Sequence, residues 1–119
     1  MKLLNEMFLI EQQDGDKVSI SLNADHTIYK AHFPGNPITP GVCLIQIIME
    51  LTEQRLQTHL ELLKVTNLKF VAPISPQKTP LLDVLFTSVT DDMAEVKVKG
   101  TLFAEEQPMT KFSLTFKKK

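Results

Sequence analysis

The sequence predicts an α+β fold in which one apolar helix packs against a curled antiparallel sheet, and three observations predict it. Residues 42–51 (Val-Cys-Leu-Ile-Gln-Ile-Ile-Met-Glu-Leu) are apolar nearly all the way round a helix. A helix without a polar face is enclosed by other elements or spans a membrane, and this run is far short of the roughly 20 apolar residues a span needs. Three later stretches alternate apolar and polar residues and are joined by short turns, the pattern of an antiparallel meander with one dry face. The third observation is the entrance to the helix, residues 32–41 (His-Phe-Pro-Gly-Asn-Pro-Ile-Thr-Pro-Gly). Prolines at every third position and two glycines make that backbone rigid and unusually shaped.

Taken in order, residues 6–13 carry an apolar stretch around Met7, Phe8, Leu9 and Ile10, read as a strand. Asp14-Gly15-Asp16 is a hairpin turn signal. Val18, Ile20 and Leu22 alternate with Lys17, Ser19, Ser21 and Asn23 as a half-buried strand. A short connection through Ile28 and Tyr29 leads to His32. The helix is expected over about 40–58, with Thr39 as N-cap and Pro40 in the first helical position. Between Leu63 and Ala72 the apolar register shifts, which predicts a strand with a bulge near Thr66-Asn67. Pro73, Pro76 and Pro80 bracket a loop. Strands around Leu82, Val84 and Phe86, around Val96, Val98 and Leu102, and around Phe112, Leu114 and Phe116 follow, separated by turns at Asp91-Asp92 and at residues 105–108.

Composition bounds the class. At 119 residues the chain reads as a single domain, 1–119, large enough for a core. A net charge of −1 offers no global field for nucleic acid or an anionic membrane. One cysteine excludes an internal disulfide and fits a reducing compartment. Asn5 and Glu6 interrupt the first apolar residues, so no secretory signal is read there and the expected location is cytoplasmic. No Cys/His spacing of a metal site occurs.

The His-Phe-Pro-Gly-x-Pro-x-x-Pro-Gly-Val loop with its apolar helix resembles the (3R)-3-hydroxyacyl-(acyl carrier protein) dehydratases of fatty-acid synthesis. The likeness is dense from His32 to Leu51. It continues more loosely through residues 67–76 (Asn-Leu-Lys-Phe-Val-Ala-Pro-Ile-Ser-Pro). It implies the hotdog fold, a curled sheet wrapped around one long helix, and elimination of water from a 3-hydroxyacyl thioester carried by an acyl carrier protein, with no dissolved cofactor or metal. It also implies a dimer, in which the histidine of one chain faces the acid of the other.

That reaction needs a base for the proton beside the carbonyl, a donor to the thioester oxygen and an acid for the departing hydroxyl. His32 is the expected base, since imidazole titrates near neutral pH. Gly41 is the expected oxyanion donor, because N–H groups at a helix N-terminus point outward unpaired. By resemblance Phe33, with Pro40 and Val42, lines the acyl site. The departure lies at the acid. The resembling family has a carboxylic acid fourteen residues after its histidine; here that position is Gln46, an amide that can orient a hydroxyl but not protonate it. One turn on, where that family commonly has glutamine, stands Glu50, so the pair appears in exchanged order. Three readings follow: Glu50 replaces the acid on the same helix face; a related subunit supplies it in a heterodimer; or the chain is a non-catalytic acyl- and carrier-binding subunit. A hotdog thioesterase is a further alternative that the histidine loop argues against.

Cys43 stands near the helix start, where a thiol can be activated, though a small buried hydrophobe is the commoner role. His26 and His59 have no constellation around them. Lys69, Lys78 and the tail Lys117, Lys118 and Lys119 are candidates for contact with an acidic carrier.

Overall fold

The computed structural model describes all 119 residues, Met1–Lys119. Six strands and two helices follow in the order β1 (Phe8–Asp14), β2 (Lys17–Leu22), α1 (Thr27–Ala31), α2 (Gly41–Leu56), β3 (Leu60–Phe70), β4 (Leu81–Asp91), β5 (Glu95–Ala104) and β6 (Gln107–Lys118). The strands form one antiparallel sheet of order β1-β2-β4-β5-β6-β3. This is the hotdog architecture. The expected meander is β4-β5-β6, and β3, which follows the helix, joins its far side as an edge strand.

The period-two pattern decides which face is dry. Val96, Val98 and Leu102 of β5 and Phe112, Leu114 and Phe116 of β6 point inward and are buried, while Lys97, Lys99 and Lys111 stand outside. Register shifts bend the sheet. One falls between Val65 and Asn67, at the expected bulge; another lies between Leu62 and Lys64, and a third between Phe86 and Ser88. Opposite the last of these, Gly100 lets two strands close up: a Cβ there would stand 2.1 Å from the Leu85 carbonyl oxygen and 2.6 Å from Phe112 Cζ.

The helix differs from expectation in two respects. Its N-cap is Pro40 rather than Thr39. The Thr39 hydroxyl is hydrogen-bonded to the Tyr29 hydroxyl at 2.9 Å instead, and its N–H donates to the Ile74 carbonyl. At the other end Gln57, with φ of 53°, closes the helix in the left-handed region. The second difference is burial. Cys43, Leu44, Ile47, Ile48 and Leu51 sit in the core, but Val42 is 64% exposed and Ile45 and Met49 are only half-buried. The sheet wraps one side of α2, so this chain alone does not enclose the apolar helix.

The same incompleteness appears on β3. Leu62, Leu63, Val65 and Phe70 are exposed along the edge strand, and Val71 just beyond it. No helix of the chain is long and apolar enough to cross a membrane.

Candidate active site

The connection between β2 and α2 contains a short helix the sequence did not announce. His26 caps α1 by accepting the Ile28 N–H on its Nδ1, and the chain leaves α1 at His32, whose own N–H returns to the Ile28 carbonyl. The loop is then held by backbone bonds. Phe33 and Asn36 exchange a pair, and the Ile38 N–H donates to the His32 carbonyl. Gly35, at φ of 78°, makes the reversal, a conformation that favours glycine. The His32–Phe33 peptide is cis, and the two rings stack with centroids 4.2 Å apart.

This arrangement orients the imidazole. His32 Nδ1 lies 3.4 Å from the Ile38 carbonyl oxygen. A carbonyl only accepts, so in a neutral ring this contact favours the tautomer with the proton on Nδ1, which leaves the Nε2 lone pair free. The ring is half-buried, and Phe33 beside it is 49% exposed.

The loop delivers the chain to the N-terminus of α2. Pro40 has no side-chain donor or acceptor for capping, and its carbonyl accepts the Cys43 and Leu44 N–H groups. The Gly41 and Val42 N–H groups have no partner within the chain. A sixteen-residue helix thus presents two unpaired donors at its positive end. Glycine at 41 has a packing reason as well, because a Cβ there would lie 2.6 Å from Phe70 Cζ. Phe70 belongs to the looser, post-helix part of the sequence likeness. Its ring lying on Gly41 is a contact that no local pattern announces.

The Gln46–Glu50 pair occupies another setting. Glu50 is buried, and both of its oxygens are engaged. Leu3 N–H donates to Oε1 at 3.1 Å and Oε2 at 2.8 Å, Leu4 N–H donates to Oε1 at 2.8 Å, and Gln46 Nε2 donates to Oε2 at 2.8 Å. Gln46 Nε2 also donates to the Met1 carbonyl at 2.6 Å. Glu50 therefore fastens the N-terminal segment to α2. A protonated carboxyl would set its O–H against one of these donors, so the arrangement suits an acceptor rather than a proton donor. This is a physical argument against the expectation that Glu50 stands in for the acid. Within one chain no hydrogen bond links His32 to Gln46 or Glu50, and the groove of about 510 Å³ that the pair lines does not include His32.

Cys43 is buried and burial pushes its thiol up, away from the thiolate a nucleophile needs. Tyr29 is likewise raised, first by burial, partly offset by its bond to Thr39. His59 is exposed on the rim of the groove.

With the geometry established, comparison with known proteins places the chain. The profile of the ApeI-like family, described as ApeI dehydratase, matches residues 10–114. The chain belongs to the ApeI-like dehydratase family. Among curated relatives, the 3-hydroxyacyl-(acyl carrier protein) dehydratase FabZ of Fusobacterium nucleatum is 26% identical over 105 residues, covering 84% of this chain and 72% of that protein. FabZ of Ehrlichia chaffeensis is 33% identical over 85 residues, 64% of this chain and 59% of the relative. Of solved structures, the dehydratase heterocomplex ApeI:P from Xenorhabdus doucetiae superposes with a TM-score of 0.62 at 19% identity, covering 92% of this chain and 94% of that one. A thioesterase from Haemophilus influenzae gives a TM-score of 0.66 at 15% identity, covering 96% and 80%. At such identities the structures share the hotdog fold, and it is the sequence family that separates dehydratase from thioesterase.

Proposed function

We propose that this ApeI-like dehydratase eliminates water from 3-hydroxyacyl thioesters on an acyl carrier protein, giving trans-2-enoyl thioesters, in the cytoplasm and without a dissolved cofactor. The observation that carries this reading is the His32 loop running into the unpaired amides of α2. His32 Nε2 takes the proton from C2. Negative charge grows on the thioester oxygen, which accepts from the Gly41 N–H, while Phe33, Pro40 and Val42 flank the acyl chain. The C3–O bond then breaks as an acid protonates the hydroxyl, water leaves, and the electron pair of the C2–H bond becomes the new double bond.

The acid is best assigned to a carboxylate of a related partner subunit. Gln46 is an amide, Glu50 is occupied by the N-terminal backbone, and neither is hydrogen-bonded to His32 in the chain. The half-open apolar face of α2 and the apolar edge of β3 suit burial against a second hotdog subunit. The Xenorhabdus structure is of a dehydratase heterocomplex, which supports a reading with two different subunits. A mixed dimer then holds one competent site, built from His32 here and the partner's acid.

The test is turnover of a 3-hydroxyacyl carrier protein by the purified chain, alone and mixed with a related hotdog subunit, followed by enoyl formation. The expected result is dehydration by the mixture that disappears with His32→Ala, with little or none from the lone chain. Full turnover by the lone chain that is lost in Glu50→Gln, with folding intact, would return the acid to Glu50. Silence in both preparations would leave the non-catalytic binding subunit.

A further inference from the structure

The peptide group that faces the His32 ring is fixed from its other side. The Ile38 carbonyl oxygen stands 3.4 Å from His32 Nδ1, and the Ile38 N–H donates to the His32 carbonyl at 3.0 Å. A contact of 3.4 Å is longer than an ordinary N–H···O bond, so it does not hold the carbonyl in place by its own strength. The next residue does. The Ile38–Thr39 peptide is planar and trans, which sends its N–H away from its C=O. That N–H, on Thr39, donates to the carbonyl of the buried Ile74 at 2.8 Å, and the Thr39 hydroxyl is hydrogen-bonded to the Tyr29 hydroxyl at 2.9 Å. Thr39 is 5% exposed and Tyr29 3%, and neither hydroxyl has a second hydrogen bond within the chain. Tyr29 stands on α1 just before His32, and Thr39 just before Gly41, so this one bond ties together the two ends of the loop.

We infer that Tyr29 is a positioning residue: through Thr39, its hydroxyl holds the Ile38–Thr39 peptide so that the Ile38 carbonyl faces His32 Nδ1 and the ring keeps the tautomer with a free Nε2 lone pair. That Nε2 serves as the base rests on the dehydratase reading; the tether itself does not. The Thr39 N–H alone is one anchor, and a peptide held by one anchor can pivot about the line of that hydrogen bond. The Thr39 hydroxyl is a second anchor off that line, and it removes the pivot. A phenylalanine at 29 would fill the same space, but packing is non-directional and a hydrogen bond is not. It would also strand the Thr39 hydroxyl in the interior without a partner. That hydroxyl would turn to find another and carry the peptide with it, and the long contact to His32 would be the first to break.

The experiment reads the His32 tautomer directly, by NMR of the full chain with isotope-labelled imidazole nitrogens at about pH 8.5, where imidazole is neutral. Tyr29 keeps its proton there, because burial raises the phenol above its ordinary value. His32 is assigned by the signals that His32→Gln removes. Tyr29→Phe keeps the ring and removes the hydroxyl. It should shift the ratio of the Nδ1–H to the Nε2–H form by about fivefold, which one net hydrogen bond supplies. In the mixture with the related subunit it should lower kcat by about fivefold to tenfold and move KM by less than about twofold, the mark of a misaligned base rather than of weaker binding. Thr39→Val should do the same, Thr39→Ser should keep both readouts near native, and the double variant Tyr29→Phe with Thr39→Val should be no worse than either single one. A merely structural hydroxyl would lower stability and leave the tautomer of the folded chain unchanged. An unchanged tautomer ratio or kcat in Tyr29→Phe, or equal losses in Thr39→Ser and Thr39→Val, overturns the assignment; if Tyr29→Phe fails to fold, the two Thr39 variants decide it. The expected tautomer shifts with no turnover by the native mixture keep the tether and overturn the dehydratase reading instead.

Discussion

Replacing Glu50 by alanine removes the acceptor for Leu3, Leu4 and the Gln46 amide in one step. Hydrogen bonds to a charged group contribute about 1.5–3 kcal/mol each when the partner stays buried, so three donor groups set a ceiling near 5–9 kcal/mol. The structure lowers that figure. Leu4 is only partly buried, and Gln46 is half-buried and retains the Met1 carbonyl, so both find other partners or water at modest cost. The Leu3 N–H is enclosed and counts in full. The segment also has an escape. It can detach, at which point the loss is bounded by re-exposing the Leu3 side chain, about 1.5–3 kcal/mol. We therefore expect Glu50→Ala to lower stability by about 2–3 kcal/mol in urea unfolding at fixed protein concentration, with little change in m-value. Amide exchange of Leu3 and Leu4 should accelerate far more than that of the β5 and β6 core. A loss below about 0.5 kcal/mol with protection of Leu3 and Leu4 unchanged would refute the tether, and with it the role assigned to Glu50.

Two further predictions rest on other contacts, Gly41 with Phe70 and Tyr29 with Thr39. Gly41→Ala places a methyl against Phe70 Cζ; because Phe70 is 54% exposed its ring can swing away. Stability should fall by no more than about 1 kcal/mol; alanine keeps the backbone N–H, so dehydration should drop only through the methyl crowding the thioester oxygen, by about 10²-fold for a displacement on the order of 1 Å, and an unchanged kcat in the mixed dimer would show that the oxygen does not approach the Gly41 Cα closely. For Tyr29 the sign of the pH dependence is fixed by burial. Its phenol is raised above the ordinary value near 10, so the native state holds the proton longer than the unfolded chain. Stability from this group is complete below pH 10 and is lost as pH rises through the folded value. Tyr29→Phe should flatten that alkaline decline while costing about 1 kcal/mol at neutral pH for the lost Thr39 partner; an equally steep decline in the variant would refute the assignment.

The alternating strands around Val18, Val84, Val98 and Leu114 lie where the sequence puts them, because side chains in a strand turn over every second residue and the pattern is local. The hairpin at Asp14-Gly15-Asp16 and the bulge before Asn67 are local for the same reason. The α2 run is equally visible, and the likeness to the dehydratases is densest from its proline-spaced entrance to Leu51.

Long-range pairing is what the chain order could not reveal. Glu50 looks like a spare acid in the helix; only folding brings Leu3 and Leu4, 47 and 46 residues away, onto its oxygens and turns it into an anchor. Thr39 has the chemistry of an N-cap, but Tyr29 lies within reach and takes its hydroxyl. Gly41 has two reasons to be glycine, and the ring of Phe70 is visible only once β3 lies beside α2. The apolar α2 run forecasts burial on all sides, while the sheet covers one side and leaves Val42 and its neighbours open. Sequence periodicity thus determined which faces of each element are apolar. What each face meets, and which polar atoms are left to bind a ligand, was decided by tertiary packing, because those contacts join residues whose separation along the chain carries no repeating signal.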